Sequence, residues 1–154
     1  YYYDGKVFPF NDGEFDSAVT NQVLEHIFSP DEFLSEINRV LKTDGKLLLT
    51  VPFVWDEHEQ PYDYARYSSF GLKSLLNKNG FEIIESRKSV NDFRVIAQLF
   101  NAYVYKITRK NFVLKNLSLI LIIVPVTIIG TLFSKILPIN NDLYLDNIVL
   151  AKKK

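Results

Sequence analysis

A strand, a helix and a second strand follow one another within about 40 residues, and this order constrains the fold of the chain most. The first strand is the short apolar run at 15–20, and the second is the continuous apolar run at 46–51, of the kind buried on both faces of a sheet. Between them, Ser29 and Pro30 supply the start of a helix, which Gly45 ends. Because two strands joined by a helical crossover are parallel, the pattern predicts an open α/β sheet.

The alternation continues and then changes. A second helix is predicted at 69–78 and a third strand at 81–85, followed by an amphipathic helix at 92–110 and a last strand at 143–150. We therefore expect a sheet-forming region at 1–90, a helical apolar insertion at 91–142, and the last strand with a basic tail at 143–154. This division is a prediction from composition and periodicity.

Net charge divides the chain in the same place. The total is zero, but residues 1–90 carry 9 basic and 15 acidic side chains, whereas residues 91–154 carry 9 and 3. The basic residues alternate with a very apolar segment, so nucleic-acid binding has little support. The absence of cysteine excludes disulfides and thiolate metal sites and fits a cytoplasmic protein. No methionine is present, so we expect that the chain is incomplete at its amino end.

Both histidines of the chain follow a predicted parallel strand. Ligands bind at the carboxyl ends of parallel strands in open α/β sheets, and His26 and His58 come shortly after the strands that end at Thr20 and Val51. The two histidines are candidates for a catalytic base; a structural role for each is the alternative. Nearby carboxylates could join them around a metal, but no tight ligand spacing is present, and we predict no metal site.

The loop at 55–67 is long for a connection and rich in aromatic and charged residues, which is typical of a lid over a substrate. In this hypothesis an apolar wall surrounds the substrate, and Arg66 contacts an anionic group. The wall would consist of Trp55, Tyr62, Tyr64 and Tyr67. The alternative is a loop that packs its aromatic side chains onto the protein surface.

Four blocks of sequence, at 7–16, 21–26, 36–45 and 48–52, resemble the core of class I S-adenosylmethionine-dependent methyltransferases, and among these the small bacterial type 11 group. The resemblance covers roughly residues 4–88 and the final strand. It implies a Rossmann-like, doubly wound sheet whose last strand is antiparallel and lies between two others. The strands of this chain would be the fourth to seventh of that sheet, so the fold would lack its amino-terminal part, and the fragment alone would be inactive.

The resemblance also implies site residues and a cofactor, S-adenosylmethionine. Asp4 and Gly5 correspond to the acidic site near the adenine, and Thr20, Asn21 and Gln22 to the positions that line the methionine end of the cofactor. The implied chemistry is in-line displacement at a sulfonium methyl group, in which the enzyme mainly supplies alignment.

Catalysis by a base is needed only for some acceptors. If the acceptor is a hydroxyl group, His26 or His58 is the expected base; Glu25 and His26 resemble a Glu-His pair of the family that could equally orient the loop. We expect methyl transfer to a small-molecule or lipid-linked acceptor. The alternative is a non-catalytic membrane- or partner-binding module that retains half of the sheet.

The uncharged stretch at 116–134 is about as long as a membrane span and is flanked by Lys110, Lys115 and Lys135. A single span would separate the last strand from its sheet. Three alternatives follow: a helical pair that packs on the domain or a partner, a helix in the membrane interface, and a re-entrant turn near Pro125 and Gly130. We therefore expect a cytoplasmic protein that associates with a membrane surface or forms a homodimer through residues 92–137.

Overall fold

The computed structural model describes residues 7–154, which divide into two compact units. The first unit contains the described residues up to Phe53 together with Glu57–Arg87 and Asp146–Lys154; the second contains Val54–Asp56 and Lys88–Leu145. The elements of the first unit are β1 (Phe15–Asn21), a 3₁₀ turn (Leu24–His26), α1 (Pro30–Val40), β2 (Leu41–Pro52), α2 (Ser69–Lys78), β3 (Phe81–Lys88) and β4 (Asp146–Lys153). Those of the second are α3 (Arg94–Thr108), α4 (Phe112–Ser118), a π-helical turn (Leu119–Ile123) and α5 (Val124–Phe133).

The four strands form one mixed sheet in the order β1-β2-β4-β3. β1 and β2 are parallel, as the helical crossover requires, and β4 is antiparallel to β2. The last strand therefore lies between two others, which confirms the strand order that the family resemblance implies.

The join between α1 and β2 differs from the prediction. The helix ends at Val40 rather than near Gly45, and Leu41 already pairs with Phe15. The register then shifts, and Asp44 has a φ of 61°. A Cβ at Gly45 would lie 2.7 Å from the carbonyl oxygen of Lys42, so this irregular part of the strand requires glycine.

The hydrophobic core of the first unit lies on one face of the sheet. Leu47, Leu49 and Val51 are fully buried and pack in one cluster with residues of α1 and α2. Leu48, on the opposite face of β2, is 39% exposed. The prediction that β2 is buried on both faces is therefore wrong for the described residues, because α1 and α2 both cover the same face.

The second unit is built on a helical hairpin. Asn101 in α3 donates a hydrogen bond of 2.9 Å to the Thr127 hydroxyl, and the Thr108 and Ser118 hydroxyls are 3.0 Å apart. The end of α3 thus contacts α4, and the middle of α3 contacts the later helix α5. The chain therefore runs in opposite directions along the two sides of the hairpin. A salt bridge of 2.6 Å between Lys106 and Asp56 ties the short segment Val54–Asp56 to α3.

One continuous helical segment, Phe112–Phe133, contains α4, the π-helical turn and α5; we refer to it as the apolar helix. Pro125 has no N–H to donate, and the wide π-helical turn lies directly before it, with the Val124 N–H bonded to the Leu119 oxygen. Pro125 and Gly130 both lie inside the helix. The re-entrant turn considered at these residues is therefore wrong.

The apolar helix is largely unburied. Among residues 7–154 it is the one helix that is long and apolar enough to cross a membrane, with 22 residues, a mean hydropathy of 2.4, and 6% of its most apolar window buried. Its surface is thus far more apolar than a surface helix of a globular domain requires.

Candidate active site at the carboxyl edge of the sheet

The carboxyl end of β1 is joined to its neighbours by Gln22. This residue has a φ of 53°, and its N–H donates to the Thr50 oxygen at 3.0 Å. Its side-chain amide donates to the Asp146 carboxylate at 3.3 Å. The backbone therefore turns sharply where β1 ends, and the start of β4 lies at the same edge as the ends of β1 and β2.

Thr20 and Asn21, two of the predicted cofactor-binding residues, lie at this edge. The Thr20 hydroxyl is buried and has no hydrogen-bond partner among the described residues, whereas the Asn21 side-chain oxygen accepts from the Thr50 hydroxyl. Both residues line a cavity of about 410 Å³ along β1 and α1, whose lining is mostly apolar. Asp4 and Gly5 lie outside the described residues.

The loop after β2 folds back onto the 3₁₀ turn that follows β1. The N–H groups of Tyr64 and Ala65 both donate to the Glu25 carbonyl oxygen, at 2.8 and 3.2 Å. The Tyr67 N–H donates to the Pro52 oxygen at 3.1 Å, and the fully buried Asn147 side chain donates to the Tyr67 oxygen at 2.7 Å. These bonds place the two segments that contain the histidines side by side.

His26 and His58 are in contact. Their ring centroids are 4.7 Å apart in an edge-to-face arrangement, and His26 Nδ1 lies 2.7 Å from the Tyr62 carbonyl oxygen. Since a carbonyl oxygen only accepts, Nδ1 carries a proton, and in the neutral form of the ring Nε2 is the unprotonated nitrogen. The structure thus brings together the two histidines that the topology placed at one edge.

Glu25 lies beside them. Its side chain is fully buried, its Oε1 is 3.8 Å from His26 Nε2, and neither carboxylate oxygen has a hydrogen-bond partner among the described residues. Burial raises the pKa of Glu25, and the Glu25 backbone N–H and the nearby His26, His58 and Arg66 oppose that shift only in part. The cost of burying the carboxylate therefore favours its neutral form.

Arg66 is held by Asp63. Its guanidinium makes two bonds to the carboxylate, of 2.6 and 2.7 Å, and these bonds hold the pKa of Asp63 far below its usual range. Asp63 also accepts from the His58 N–H at 2.9 Å. The predicted anion contact at Arg66 is therefore already neutralised by a carboxylate within its own loop.

The predicted aromatic wall is only partly assembled. Tyr62 and Tyr64 are 63% and 46% exposed, Phe28 packs edge-to-face on Tyr64 at 5.4 Å, and burial raises the pKa of Tyr67. Trp55 belongs to the second unit. Tyr62 and Tyr64 thus form an exposed aromatic surface in the first unit.

Sequence reasoning missed Asp63 and Asn147. Asp63 precedes Arg66 by three residues, a spacing that itself suggests an ion pair. Asn147 lies in β4, 80 residues from the Tyr67 carbonyl that it binds, and carries no local signal of that contact.

A family model described as a methyltransferase domain matches residues 3–49. Over 101 residues the chain is 26% identical to phosphoethanolamine N-methyltransferase 2 of Caenorhabditis elegans, an alignment that covers 60% of this chain and 23% of the relative. The chain spans less than half the length of each of the three curated relatives that it matches.

Solved structures agree on the fold. Phosphoethanolamine N-methyltransferase 2 of Haemonchus contortus, solved with S-adenosyl-L-methionine, has a TM-score of 0.54 and 22% identity over 95% of this chain and 35% of that one. The [4+2]-cyclase SpnF has a TM-score of 0.56 and 22% identity over 98% of this chain and 54% of that one. One fold thus occurs in proteins named for different reactions.

Residues 3–49 thus match a methyltransferase family model, and the mixed sheet with its antiparallel β4 has the fold of class I S-adenosylmethionine-dependent methyltransferase domains. S-adenosylmethionine is the cofactor of this class of domain.

Proposed function

We propose that the protein transfers a methyl group from S-adenosylmethionine to a small-molecule or lipid-linked acceptor at the carboxyl edge of the sheet. The observation that carries this proposal is the juxtaposition of the Thr20–Asn21 end of β1 with the Glu25, His26 and His58 cluster, in a domain of methyltransferase fold. The relatives named as phosphoethanolamine N-methyltransferases support an acceptor of small size.

The bound cofactor supplies a methyl group on a positively charged sulfur. Thr20, Asn21 and Gln22 would hold its methionine end, and Asp4 and Gly5 its adenine, as the family resemblance implies. The protein's part in the reaction is alignment: the acceptor atom must approach in line with the bond from sulfur to methyl carbon, which breaks as the new bond forms. The exposed rings of Tyr62 and Tyr64 would orient the acceptor.

His26 is the better placed of the two candidate bases. Its Nδ1–H is fixed on the Tyr62 oxygen, so its Nε2 is free of that proton and can take one from an acceptor hydroxyl. His58 is turned toward Asp63, with 3.4 Å between Nδ1 and the carboxylate, and would act through its contact with the His26 ring. An amine or anionic acceptor needs neither histidine as a base.

A membrane surface is the proposed partner of the helical hairpin. The apolar helix exposes a continuous apolar face, and Lys110, Lys115 and Lys135 near its ends would meet anionic headgroups. Because the hairpin is antiparallel, the chain enters and leaves it at the same end, so the apolar helix could lie along a membrane surface, with both of its basic ends at the headgroups, without separating β4 from its sheet. A lipid-linked acceptor would then be presented where the protein is anchored.

Flotation of the full-length protein with vesicles tests this anchoring. We expect binding to vesicles that contain phosphatidylglycerol and loss of binding in Leu121→Glu, which places a charge on a residue that is 68% exposed on the apolar helix. Val7→Glu makes the same change at a residue that is 65% exposed in the first unit and should still bind. A soluble dimer by size-exclusion chromatography, with no vesicle binding, would assign the face to homodimerisation instead.

Incubation of the full-length protein with methyl-labelled S-adenosylmethionine and vesicles of total lipid extract tests the transfer itself. Label in the organic phase supports a lipid-linked acceptor, and label only in a small aqueous product supports a free one. No label in either fraction, with a soluble metabolite extract also supplied, would contradict methyl transfer.

A further inference from the structure

Three potential metal ligands from two distant segments meet at the carboxyl edge of the sheet. Glu25 and His26 follow β1, His58 follows β2, and one ligand atom from each lies within 4.8 Å of the others. We propose that Glu25, His26 and His58 bind a divalent transition-metal ion of the zinc type. The sequence alone argued against such a site because the ligands are 32 positions apart; the crossover between β1 and β2 supplies the proximity that the spacing lacks.

Glu25 gives the strongest reason to expect a cation. Its carboxylate is fully buried, and both of its oxygens lack a hydrogen-bond partner among the described residues. Its backbone is fixed, since its carbonyl oxygen accepts from both Tyr64 and Ala65. The charged form of a carboxyl group buried in this way is stabilised by a partner of opposite charge, and a metal ion supplies one.

His26 is already oriented as a metal ligand. Metal-binding histidines usually donate their second ring N–H to a carbonyl or carboxylate, which fixes the tautomer and the direction of the ring. The Nδ1 of His26 makes this bond to the Tyr62 oxygen at 2.7 Å, and its Nε2 lies 3.8 Å from Glu25 Oε1. The lone pair of Nε2 thus lies on the side of the carboxylate.

One ring nitrogen of His58 faces a carboxylate rather than a carbonyl oxygen, which is the other common arrangement of a metal-binding histidine. Its Nδ1 lies 3.4 Å from the Asp63 carboxylate, and Asp63 is itself held by two bonds from Arg66. The Arg66 guanidinium lies equally close, at 3.4 Å from Nδ1, and because it can only donate it competes with the Asp63 carboxylate for this nitrogen. In the tautomer whose Nδ1–H faces Asp63, Nε2 is the nitrogen that would bind the ion.

The donor set selects the kind of ion. Two imidazoles and one carboxylate suit zinc and related first-row metals, whereas magnesium and calcium prefer oxygen ligands. Zinc–ligand bonds of about 2.0–2.2 Å in a tetrahedral site separate the donor atoms by roughly 3.3–3.6 Å. The separations present, which are 3.8 Å for His26 Nε2 and Glu25 Oε1 and at most 4.8 Å within the group, exceed this by up to about 1.5 Å, which side-chain rotations can remove. Three protein ligands leave the fourth position open for water or an acceptor.

The role of the ion rests on the proposed function, but its binding does not. In the metal-loaded protein His26 is a ligand rather than a base, and an acceptor oxygen bound at the open position would lose its proton more readily. Metal binding is therefore measured in the absence of S-adenosylmethionine, and cofactor binding is measured separately.

The test uses the full-length protein without a histidine tag, stripped of metal with a chelator. Titration with Co²⁺ should give the intense visible absorption of a tetrahedral site, and Zn²⁺ should abolish it with a stoichiometry of one. We expect a dissociation constant for Zn²⁺ of about 1 μM or tighter, and a loss of at least about 10-fold in Glu25→Gln and in His58→Gln. Glu59→Gln, an exposed residue of the same loop, should bind as the wild type does.

Two outcomes would overturn the proposal. In the first, Co²⁺ gives no visible spectrum and no Zn²⁺ is retained after dialysis. In the second, the wild type and the folded variants Glu25→Gln and His58→Gln bind the metal equally well. Circular dichroism establishes that each variant folds. Glu25→Gln keeps the size of the buried side chain and removes its charge, so it is expected to fold even where a histidine variant does not. If Zn²⁺ binding fails while S-adenosylmethionine binds, the metal proposal alone is wrong.

Discussion

Gly130 sets the distance between the two helices of the hairpin. A Cβ built at Gly130 would lie 2.6 Å from the Cβ of Ala97. Carbon atoms pack best at about 3.5–4.0 Å, so Gly130→Ala forces the helices apart by about 1 Å or displaces their side chains. Overpacking of this kind typically costs about 1–3 kcal/mol.

A second effect acts in the opposite direction. Alanine is favoured over glycine inside a helix by about 1 kcal/mol, so the net cost of Gly130→Ala is about 0–2 kcal/mol. Ala97→Gly alone should cost about 1 kcal/mol for the same reason. In the double variant the two propensity changes cancel and the close contact disappears, so its stability should return to that of the wild type. The coupling free energy is then about 1–3 kcal/mol, favouring the double variant.

Chemical unfolding followed by fluorescence measures these differences. Trp55 is the only tryptophan of the chain and lies in the second unit, so its emission reports the unit that contains the hairpin. A coupling free energy within about 0.3 kcal/mol of zero would refute the close packing of α3 on α5. So would a Gly130→Ala variant more stable than wild type by the full helix propensity of about 1 kcal/mol.

Two further predictions concern single polar groups. Thr20→Val removes a buried hydroxyl group that has no hydrogen-bond partner among the described residues. In denaturant titrations without cofactor, we expect the free energy of unfolding to rise by about 1 kcal/mol. A fall in the free energy of unfolding would show that the hydroxyl group is hydrogen-bonded. Arg94 lowers the pKa of Asp92 below its usual 3.8, so this ion pair stabilises the fold above about pH 4, and the stability is lost as the pH falls through the lower folded-state pKa. Asp92→Asn should therefore flatten the acid limb of an unfolding curve measured against pH; an unchanged limb would contradict the role of the pair.

Local sequence signals predicted the order of the strands and helices, but the bounds of two strands were wrong: β2 begins at Leu41 rather than at residue 46, and β4 is Asp146–Lys153 rather than 143–150. The helix after Ser29 begins at Pro30 as expected, although the Ser29 side chain makes no capping hydrogen bond, and α2 occupies residues 69–78 as predicted. The placement of His26 and His58 at one edge followed from the parallel pairing of β1 with β2 alone. These features depend on contacts within a single βαβ unit, which the sequence encodes locally.

Other features depend on contacts between distant segments. Nothing in the pattern of β2 distinguishes the buried Leu47 from the exposed Leu48, because that difference depends on which face the helices cover. The pairing of α3 with the apolar helix depends on Gly130 and Asn101, neither of which has a local signal for a partner. The ion pair between Arg66 and Asp63 was also not predicted, and the anion contact proposed at Arg66 stays a prediction, in which an anionic ligand competes with the Asp63 carboxylate.

Cofactor binding by the full-length protein is measured directly by calorimetric titration with S-adenosylmethionine. We expect saturable binding to one site, and weaker binding in Thr20→Val because the hydroxyl at the end of β1 is lost. Absence of any heat at millimolar cofactor would contradict the proposal that the protein transfers a methyl group from S-adenosylmethionine.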